Sequence, residues 1–224
     1  MGSEVVNVFV VDDDAAVRSA LGRLLRSAGY QPETFGSAEE FLKGRHLSAP
    51  GCIIVDIQLP GLNGLDLQQM LADAGRYLAI VFITGHGDVP MSVRAMKAGA
   101  VDFLSKPFND GELLQAIAQA LNKSRREQSE QEEVAEIQRR FSTLTARERE
   151  VLCHIVAGQL NKQAAAELGV VEKTIKVHRA RVMDKMGTSS LAELVTMAVR
   201  IGLRGPLHLK HCLSPISGNL RFRD

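Results

Sequence analysis

The chain has 224 residues, 45% of them hydrophobic, and its 27 Lys and Arg and 26 Asp and Glu side chains leave a net charge of +1. This length fits one large domain or two small ones, and no apolar run approaches the ~18 residues of a membrane-spanning helix. The sequence begins without the basic and then apolar pattern of a secretion signal, and its three scattered cysteines fit neither a metal site nor a disulfide framework. We therefore expect a cytoplasmic protein with reduced thiols and no membrane partner.

Charge is distributed unevenly along the chain. Residues 1–122 carry 9 Lys and Arg against 14 Asp and Glu, a net charge of −5, whereas residues 141–204 carry 10 against 6, a net charge of +4. An acidic half followed by a basic half predicts two domains, the second of which binds a polyanion.

The acidic half alternates between β-branched apolar runs and amphipathic patterns with helical spacing. Strands are expected at residues 5–11, 31–35, 52–55, 78–83 and 101–104. Helices are expected between Asp14 and Gly29 and at residues 37–43, 65–72, 89–98 and 110–121, with Asp14 and Ser37 as caps. Five strands alternating with five helices predict an α/β domain with a doubly wound, five-stranded parallel sheet. Because its crossovers are right-handed, all its strands end at one edge.

Polar side chains follow four of these strands, so they are expected to meet at that edge. Asp12 and Asp13 follow the first strand, Asp56 the third, Thr84 the fourth and Lys106 the fifth. Each alone has an ordinary explanation as a helix cap, a turn former or a surface lysine. Together, crowded carboxylates need a cation, and their hard oxygen ligands suit Mg²⁺. A metal ion, a lysine and a hydroxyl around one carboxylate indicate phosphoryl transfer.

The strand ends carry four short motifs: Val10–Asp13, Val55–Asp56 with Leu59–Gly61, Ile83–Gly85 and Lys106–Phe108. In this combination and order, over residues 5–121, they resemble the receiver domains of two-component response regulators. The resemblance implies that Asp56 accepts a phosphoryl group from a sensor histidine kinase. It also implies that Asp12, Asp13 and the main-chain carbonyl of Gln58 join Asp56 in binding Mg²⁺.

The same resemblance implies a conformational switch around the phosphate. Thr84 would be the switch hydroxyl that follows the phosphoryl oxygen. Lys106 would pair with the phosphate, its ammonium aimed by a cis peptide bond to Pro107. Phe103 occupies the aromatic switch position, where the family commonly has Tyr, so coupling through it would depend on ring packing alone.

Residues 123–140 join the two halves. They contain many helix-forming residues of mixed charge and few apolar ones. We expect a helical linker that continues the last helix of the acidic half, rather than a flexible coil. Val134, Ile137 and Phe141 are spaced three and four residues apart, which suggests that its last turns pack against another part of the chain.

Four helices are expected in the basic half. The first follows Thr145, which forms a capping box with Glu148. The second spans residues 162–168 with Asn161 as its cap, the third spans 172–186, and the fourth begins at Ser189 or Ser190. A short helix, a tight turn and a longer basic helix predict an all-α helix-turn-helix domain.

The third of these helices has a buried and a solvent-facing side. Ile175, Val182 and Met186 share the buried side, and His178 leans towards it. The opposite side has small residues at its centre and cations at its rims, which suits the major groove of DNA, although a solvated helix face can be cationic by chance. The residues expected to contact DNA are Lys162, Lys173, Thr174, Lys176, Val177, Ala180 and Arg181.

Motifs in the basic half resemble a second family, the LuxR-type helix-turn-helix. They are Leu144–Leu152, Gly158, Asn161–Lys162, Thr174–His178 and Lys185–Met186, and the resemblance covers residues 141–203. Two positions depart from the family. Val171 stands where a capping serine is usual, a loss of about 1 kcal/mol, and Ala164 stands where a larger aliphatic residue is usual.

Both halves together resemble the FixJ/NarL class of transcriptional regulators. The resemblance implies a protein that is not an enzyme and that binds promoter DNA once it is phosphorylated. Its expected partners are a sensor histidine kinase, double-stranded DNA, a second copy of the chain when phosphorylated, and RNA polymerase. The expected parts are a receiver at 1–122, a helical linker at 123–140, a helix-turn-helix domain at 141–204 and a disordered tail at 205–224.

Two alternatives stay open at this point. One is an aspartate-nucleophile phosphatase of the haloacid dehalogenase kind, although that chemistry needs an acid two residues after the nucleophile, where this chain has Gln58. The other is a regulator driven by a small ligand or a partner, which could keep the acidic residues without using phosphate.

Overall fold

The computed structural model describes residues 7–44, 51–76, 78–85 and 89–203. The chain divides into two compact units, residues 1–130 and residues 131–224. The tail at 205–224, predicted to be disordered, lies outside the described residues. Within the described ranges, no helix is both long enough and apolar enough to cross a membrane.

The first unit is a five-stranded parallel sheet with helices on both faces, as predicted. Its strands are β1 (Asn7–Val11), β2 (Gln31–Phe35), β3 (Gly51–Asp56), β4 (Ala79–Thr84) and β5 (Asp102–Ser105), in the spatial order β2-β1-β3-β4-β5. Its helices are α1 (Ala15–Ser27), α2 (Ala38–Lys43), α3 (Gly64–Asp73), α4 (Val89–Lys97) and the first part of α5 (Asp110–Ser142). Asp14 and Ser37 cap α1 and α2, as expected.

The sheet separates two cores because successive residues of β1 point to opposite faces. Phe9 and Val11 pack with side chains of α2 and α3, whereas Val8 and Val10 pack with side chains of α1 and α5. β3 and β4 are buried along their whole length, as central strands covered on both faces must be. Each large side chain buried in this way contributes about 1.5–3 kcal/mol. The strand ends therefore project from a well-packed frame.

The register of the strands brings the predicted site residues to one edge. Val11 lies beside Val55 on β3, and Thr84 lies beside Ser105 on β5. The residues that end or directly follow β1, β3, β4 and β5 are therefore neighbours at the carboxyl edge of the sheet.

The predicted linker lies within α5, which is one helix of 33 residues. At the start of the linker, the buried Oγ of Ser124 accepts a hydrogen bond from the N–H of Gly51 at 3.1 Å, and Nζ of Lys123 donates to the carbonyl of Gly99 at 2.9 Å. Near its end, Ile137 and Phe141 are buried in the core of the second unit. The linker is therefore helical and its last turns are packed, as expected.

The second unit continues with α6 (Ala146–Val156), α7 (Asn161–Leu168), α8 (Glu172–Met186) and α9 (Leu191–Arg200). The capping box between Thr145 and Glu148 is present, and Ser190 caps α9. Apolar side chains of all four helices and the end of α5 form the core, among them Ile137, Phe141, Val151, Leu152, Ile175, Val182, Met186, Leu194 and Ala198. Gly169 and Gly187 end α7 and α8 with φ of 65° and 67°, a conformation that favours glycine.

The predicted cap of α7 is wrong. Asn161 is the first helical residue, and Leu160 occupies the capping position. The N–H of Leu160 donates to Oε1 of Gln163 at 2.8 Å, so a side chain from inside the helix satisfies it. Oδ1 of Asn161 instead accepts a hydrogen bond from Nη1 of Arg179 at 3.3 Å, which ties α7 to α8.

Candidate functional site

An acidic cluster lies at the carboxyl edge of the sheet, where the strand pattern predicted it. Asp12 follows β1 and is fully buried, Asp56 ends β3 and is 7% exposed, and Asp13 is exposed. Each of the three offers a carboxylate oxygen that lies within 4.8 Å of the others. Both Mg²⁺ and Ca²⁺ take hard oxygen ligands, and Mg²⁺ needs only a few of them from the protein. The cluster can therefore hold a metal ion.

Lys106 connects two of these carboxylates. Its Nζ lies 2.7 Å from Oδ2 of Asp12 and 2.7 Å from Oδ2 of Asp56. Its own N–H donates to the carbonyl of Thr84 at 2.7 Å, and the peptide bond to Pro107 is cis, as predicted. Lys106, Asp12 and Asp56 thus come from three different strand ends to one point.

Burial and pairing shift the pKa values in this cluster. Burial raises the pKa of Asp12, because loss of water around the carboxylate outweighs its hydrogen bonds from Lys106 and from the N–H of Asp14. Burial lowers the pKa of Lys106, but hydrogen bonds to Asp12 and Asp56 outweigh it, so the net pKa of Lys106 is raised. The ammonium consequently stays charged at neutral pH.

The main chain also holds the two buried carboxylates. Oδ1 of Asp12 accepts a hydrogen bond from the N–H of Asp14 at 2.9 Å, and Oδ1 of Asp56 accepts one from the N–H of Gln58 at 2.9 Å. In each case one oxygen is fixed by an N–H two residues later and the other meets Lys106. Both carboxylates are therefore oriented before any ligand arrives.

Two side chains that sequence analysis missed hold the loops beside the cluster. Nη1 of Arg18 donates to the carbonyls of Asp12 and Asp13 at 2.7 and 2.9 Å. Oε1 of Glu39 accepts a hydrogen bond from the N–H of Leu62, in the loop between β3 and α3, at 3.0 Å. For Arg18 the sequence did carry a signal, since the dipole of a helix disfavours a cation in its first turn.

The two predicted switch residues lie on neighbouring strands. Thr84 is fully buried at the end of β4, and Phe103 on β5 lies beside Phe82. Phe103 is half-buried and packs against the core that contains Ile57 and Leu59. An aromatic ring is thus placed beside the strand that carries the hydroxyl.

The predicted DNA-contacting residues lie on the solvent-facing sides of α7 and α8. Ile175, Val182 and Met186 point into the core, as expected, and Nδ1 of His178 is buried without a hydrogen-bond partner among the residues that the structure describes. The exposed members of the predicted set are Lys162, Lys173, Lys176, Val177, Ala180 and Arg181, and Thr174 is half-buried. Val171 makes no side-chain cap, as its departure from the family pattern predicted.

Two further features of this surface bear on binding. Nζ of Lys176 lies 3.1 Å from Oε1 of Glu172, so a phosphate would have to compete with that exposed ion pair. On α9, Leu194 and Ala198 are buried, whereas Leu191 and Val199 are 41% and 50% exposed. The second unit therefore leaves part of an apolar stripe open to solvent.

Comparison with known proteins places both units among characterised families. Residues 8–118 match the family described as the response regulator receiver domain. Residues 142–198 match the family described as bacterial regulatory proteins, luxR family. The two matches lie in the first and in the second unit.

Several curated proteins are similar over most of the chain. Nodulation protein W of Bradyrhizobium diazoefficiens is 48% identical over 196 residues, which cover 88% of this chain and 86% of that protein. The response regulator protein TodT of Pseudomonas putida is 45% identical over 194 residues, covering 87% and 86%. The transcriptional regulatory protein FixJ of B. diazoefficiens is 41% identical over 197 residues, covering 88% and 96%.

Solved structures of response regulators are also similar to this chain over most of its length. The response regulator StyR has a TM-score of 0.76 at 47% identity, covering 88% of this chain and 100% of that chain. Full-length FixJ from B. japonicum has a TM-score of 0.54 at 40% identity, covering 89% and 98%.

Proposed function

The chain belongs to the two-component response regulators, in the class that joins a receiver domain to a LuxR-type helix-turn-helix domain, and on that premise we propose that phosphorylation of Asp56 controls its binding to DNA. A sensor histidine kinase supplies the phosphoryl group in the cytoplasm, where bacterial DNA lies. The observation that carries this proposal is the ammonium of Lys106, 2.7 Å from carboxylates at the ends of two different strands. A lysine held between two acids at a sheet edge is arranged to receive a third anionic group.

The transfer uses Asp56 as the nucleophile. One carboxylate oxygen attacks the phosphorus of a phosphohistidine on the kinase, an O–P bond forms, and the P–N bond breaks with its electron pair left on the histidine nitrogen, which takes up a proton. Asp56 becomes an acyl phosphate. Lys106 offsets negative charge on the phosphoryl oxygens. Asp12, Asp13, Asp56 and the Gln58 carbonyl would hold a Mg²⁺ ion, whose charge would neutralise those oxygens further.

The acyl phosphate then changes the contacts of Thr84 and Phe103. It carries close to two negative charges, where the carboxylate carried one, and it places strong acceptor oxygens beside Thr84, whose hydroxyl donates a hydrogen bond to it. The ring of Phe103, half-buried beside β4, occupies the space that the threonine side chain leaves. One covalent bond thus biases a two-state element at the face formed by α4, β5 and α5.

We propose that the chain turns over no substrate. A phosphatase of the haloacid dehalogenase kind needs an acid two residues after its nucleophilic aspartate. Gln58 stands at that position, is exposed, and donates its N–H to the carboxylate of Asp56. Nothing at this position can protonate a leaving group as a carboxylic acid would.

The helix-turn-helix domain reads DNA as a pair. Val177 and Ala180 lie at the centre of the exposed side of α8 and meet base edges, while Lys173, Lys176 and Arg181 meet phosphates. Lys162 and Thr174 contact the backbone from α7 and from the first turn of α8. One such domain covers only a half-site, so two-fold operators reward dimers. The proposed contacts between copies are the open stripe on α9 and the face of the first unit formed by α4, β5 and α5, which we call the switch face. RNA polymerase is the proposed partner at the promoter.

Incubation of the whole protein with acetyl phosphate and Mg²⁺, followed by intact mass spectrometry, tests the central step. The wild type should gain one phosphoryl mass, and Asp56→Asn should gain none while it keeps its circular dichroism spectrum. Asp73→Asn, an exposed aspartate at the end of α3, is the matched control and should label as the wild type does. A labelled Asp56→Asn would show that another residue is the acceptor. An unlabelled wild type would favour a regulator that does not use phosphate.

A further inference from the structure

Arg18 makes an unusual contact for a residue in the first turn of a helix. A single nitrogen, Nη1, donates to two consecutive main-chain carbonyls, those of Asp12 at 2.7 Å and Asp13 at 2.9 Å. Its N–H also makes the first α1 hydrogen bond, to the carbonyl of Asp14 at 3.0 Å. The side chain therefore folds back from α1 over the loop that precedes the helix.

This position does not serve the helix itself. The positive end of a helix dipole lies at its amino terminus, so a cation there destabilises the helix. Arg18 as a whole residue is half-buried. Its guanidinium lies next to a second loop, since a Cβ placed on Gly36 would lie 3.7 Å from Nη1. The contacts of Arg18 with the loops offset the unfavourable dipole.

The two carbonyls belong to residues whose side chains form the acidic cluster. A carbonyl that is held by a donor fixes the plane of its peptide group. The two planes fixed here lie on either side of the Cα atom of Asp13, so together they fix the direction in which its Cα–Cβ bond leaves the main chain. Asp12 has further restraints from Asp14 and Lys106. Asp13 is exposed, and its main-chain bond to Arg18 restrains it from outside the cluster.

We propose that Arg18 is a positioning residue for a divalent cation at Asp12, Asp13 and Asp56. It holds the loop after β1 so that the carboxylate of Asp13 faces the other two, and it does so without taking a carboxylate oxygen from the ion. This inference rests on the proposed function, because the ion is the one that accompanies phosphoryl transfer to Asp56. Partners outside the ligand set commonly change metal affinity by about 10–100-fold.

The test measures Mg²⁺ affinity of the full chain from the rise of its melting temperature with Mg²⁺ concentration, since a ligand of the native state stabilises it by mass action. Arg18→Met should raise the Kd for Mg²⁺ by about tenfold or more. Arg18→Lys, whose ammonium can still donate to a carbonyl, should recover part of the loss. Arg26→Met removes an exposed arginine from the other end of α1 and should leave the Kd unchanged.

The outcomes separate this inference from the proposed function. A Kd for Arg18→Met equal to that of the wild type would overturn the positioning role and leave phosphorylation of Asp56 untouched. A wild type whose melting temperature does not respond to Mg²⁺ would overturn both. If Arg18→Met melts too low to be measured, Arg18→Gln and the binding of Mn²⁺, followed at low temperature by electron paramagnetic resonance, give the same comparison. An equal loss in Arg26→Met would also overturn the positioning role, because the loss would then not depend on the loop contact.

Discussion

Replacement of Lys185 by methionine is expected to destabilise the second unit by about 2 kcal/mol. Nζ of Lys185 lies 2.7 Å from Oε2 of Glu148, a residue that is only 3% exposed. Hydrogen bonds from Lys185 and from the N–H of Thr145 lower the pKa of Glu148 from 4.5 to about 2. At about 1.4 kcal/mol per pKa unit, that difference corresponds to about 3 kcal/mol. Lys185 is the largest cause, but its side chain is 33% exposed, so solvent screens part of the interaction.

The dependence on pH has a definite sign. Because the pKa of Glu148 is lower in the folded than in the unfolded protein, the pair stabilises the fold fully above pH 4.5, and this contribution is lost as the pH falls towards about 2. In Lys185→Met the pKa of Glu148 in the folded protein should rise towards its value in the unfolded protein. Ionised Glu148 then contributes little to the free energy of unfolding at any pH. The difference in unfolding free energy between the two proteins should therefore shrink between pH 5 and pH 3.

Urea unfolding of the full chain, followed by far-ultraviolet circular dichroism at several pH values, measures this difference. Lys173→Met, an exposed lysine on the same helix, is the matched control and should change stability by less than about 0.5 kcal/mol. A loss in Lys185→Met no larger than that of the control would refute the reasoning. So would a loss that stays constant from pH 7 to pH 3, because it would then come from packing rather than from the ion pair.

Two predictions concern DNA binding. Lys176→Ala should weaken binding to operator DNA without changing labelling by acetyl phosphate. It should also flatten the slope of log affinity against log salt concentration by about 0.9, the value for one phosphate contact. An unchanged slope in a salt titration would remove Lys176 from the set of phosphate contacts. Phosphorylation should convert monomers to dimers in analytical ultracentrifugation and raise operator affinity, and Val199→Glu should suppress both changes because it places a charge in the open stripe of α9. Dimers that form equally well in Val199→Glu would assign the contact to the switch face alone.

The sequence was most informative where chemistry follows directly from position along a strand. Asp12, Asp56 and Lys106 could be placed together because parallel strands with right-handed crossovers must all end at one edge, whatever their order in the sheet. Distances then had to come from the structure. That one ammonium contacts both carboxylates at 2.7 Å depends on side-chain conformations that no sequence pattern specifies.

Contacts between distant or backward-reaching groups were not predictable in the same way. The sequence around Ser124 is typical of an exposed polar helix, yet Ser124 is buried. Its Oγ accepts a hydrogen bond from the N–H of Gly51, which lies 73 positions away in the sequence. The residue type of Asn161 predicts a helix cap, but Gln163 reaches back to the N–H of Leu160, and Asn161 instead accepts a hydrogen bond from Arg179. Both cases depend on which helix packs beside which, and a local pattern carries no information on that.

The construction of α5 has a mechanical consequence. Between Ser124, which is fastened to the first unit, and Val134, which packs in the second, nine residues have no place in either core. An isolated helix of that length is not stable in water, because the free-energy cost of nucleating its first turn exceeds the free energy gained by adding the remaining residues to the helix. Here the folded units at both ends supply the nuclei, and the intervening turns only propagate. The helical structure of this stretch therefore depends on the contacts of Ser124 in the first unit and of Val134 in the second. Loss of the contacts at either end should unwind the stretch while the other unit stays folded.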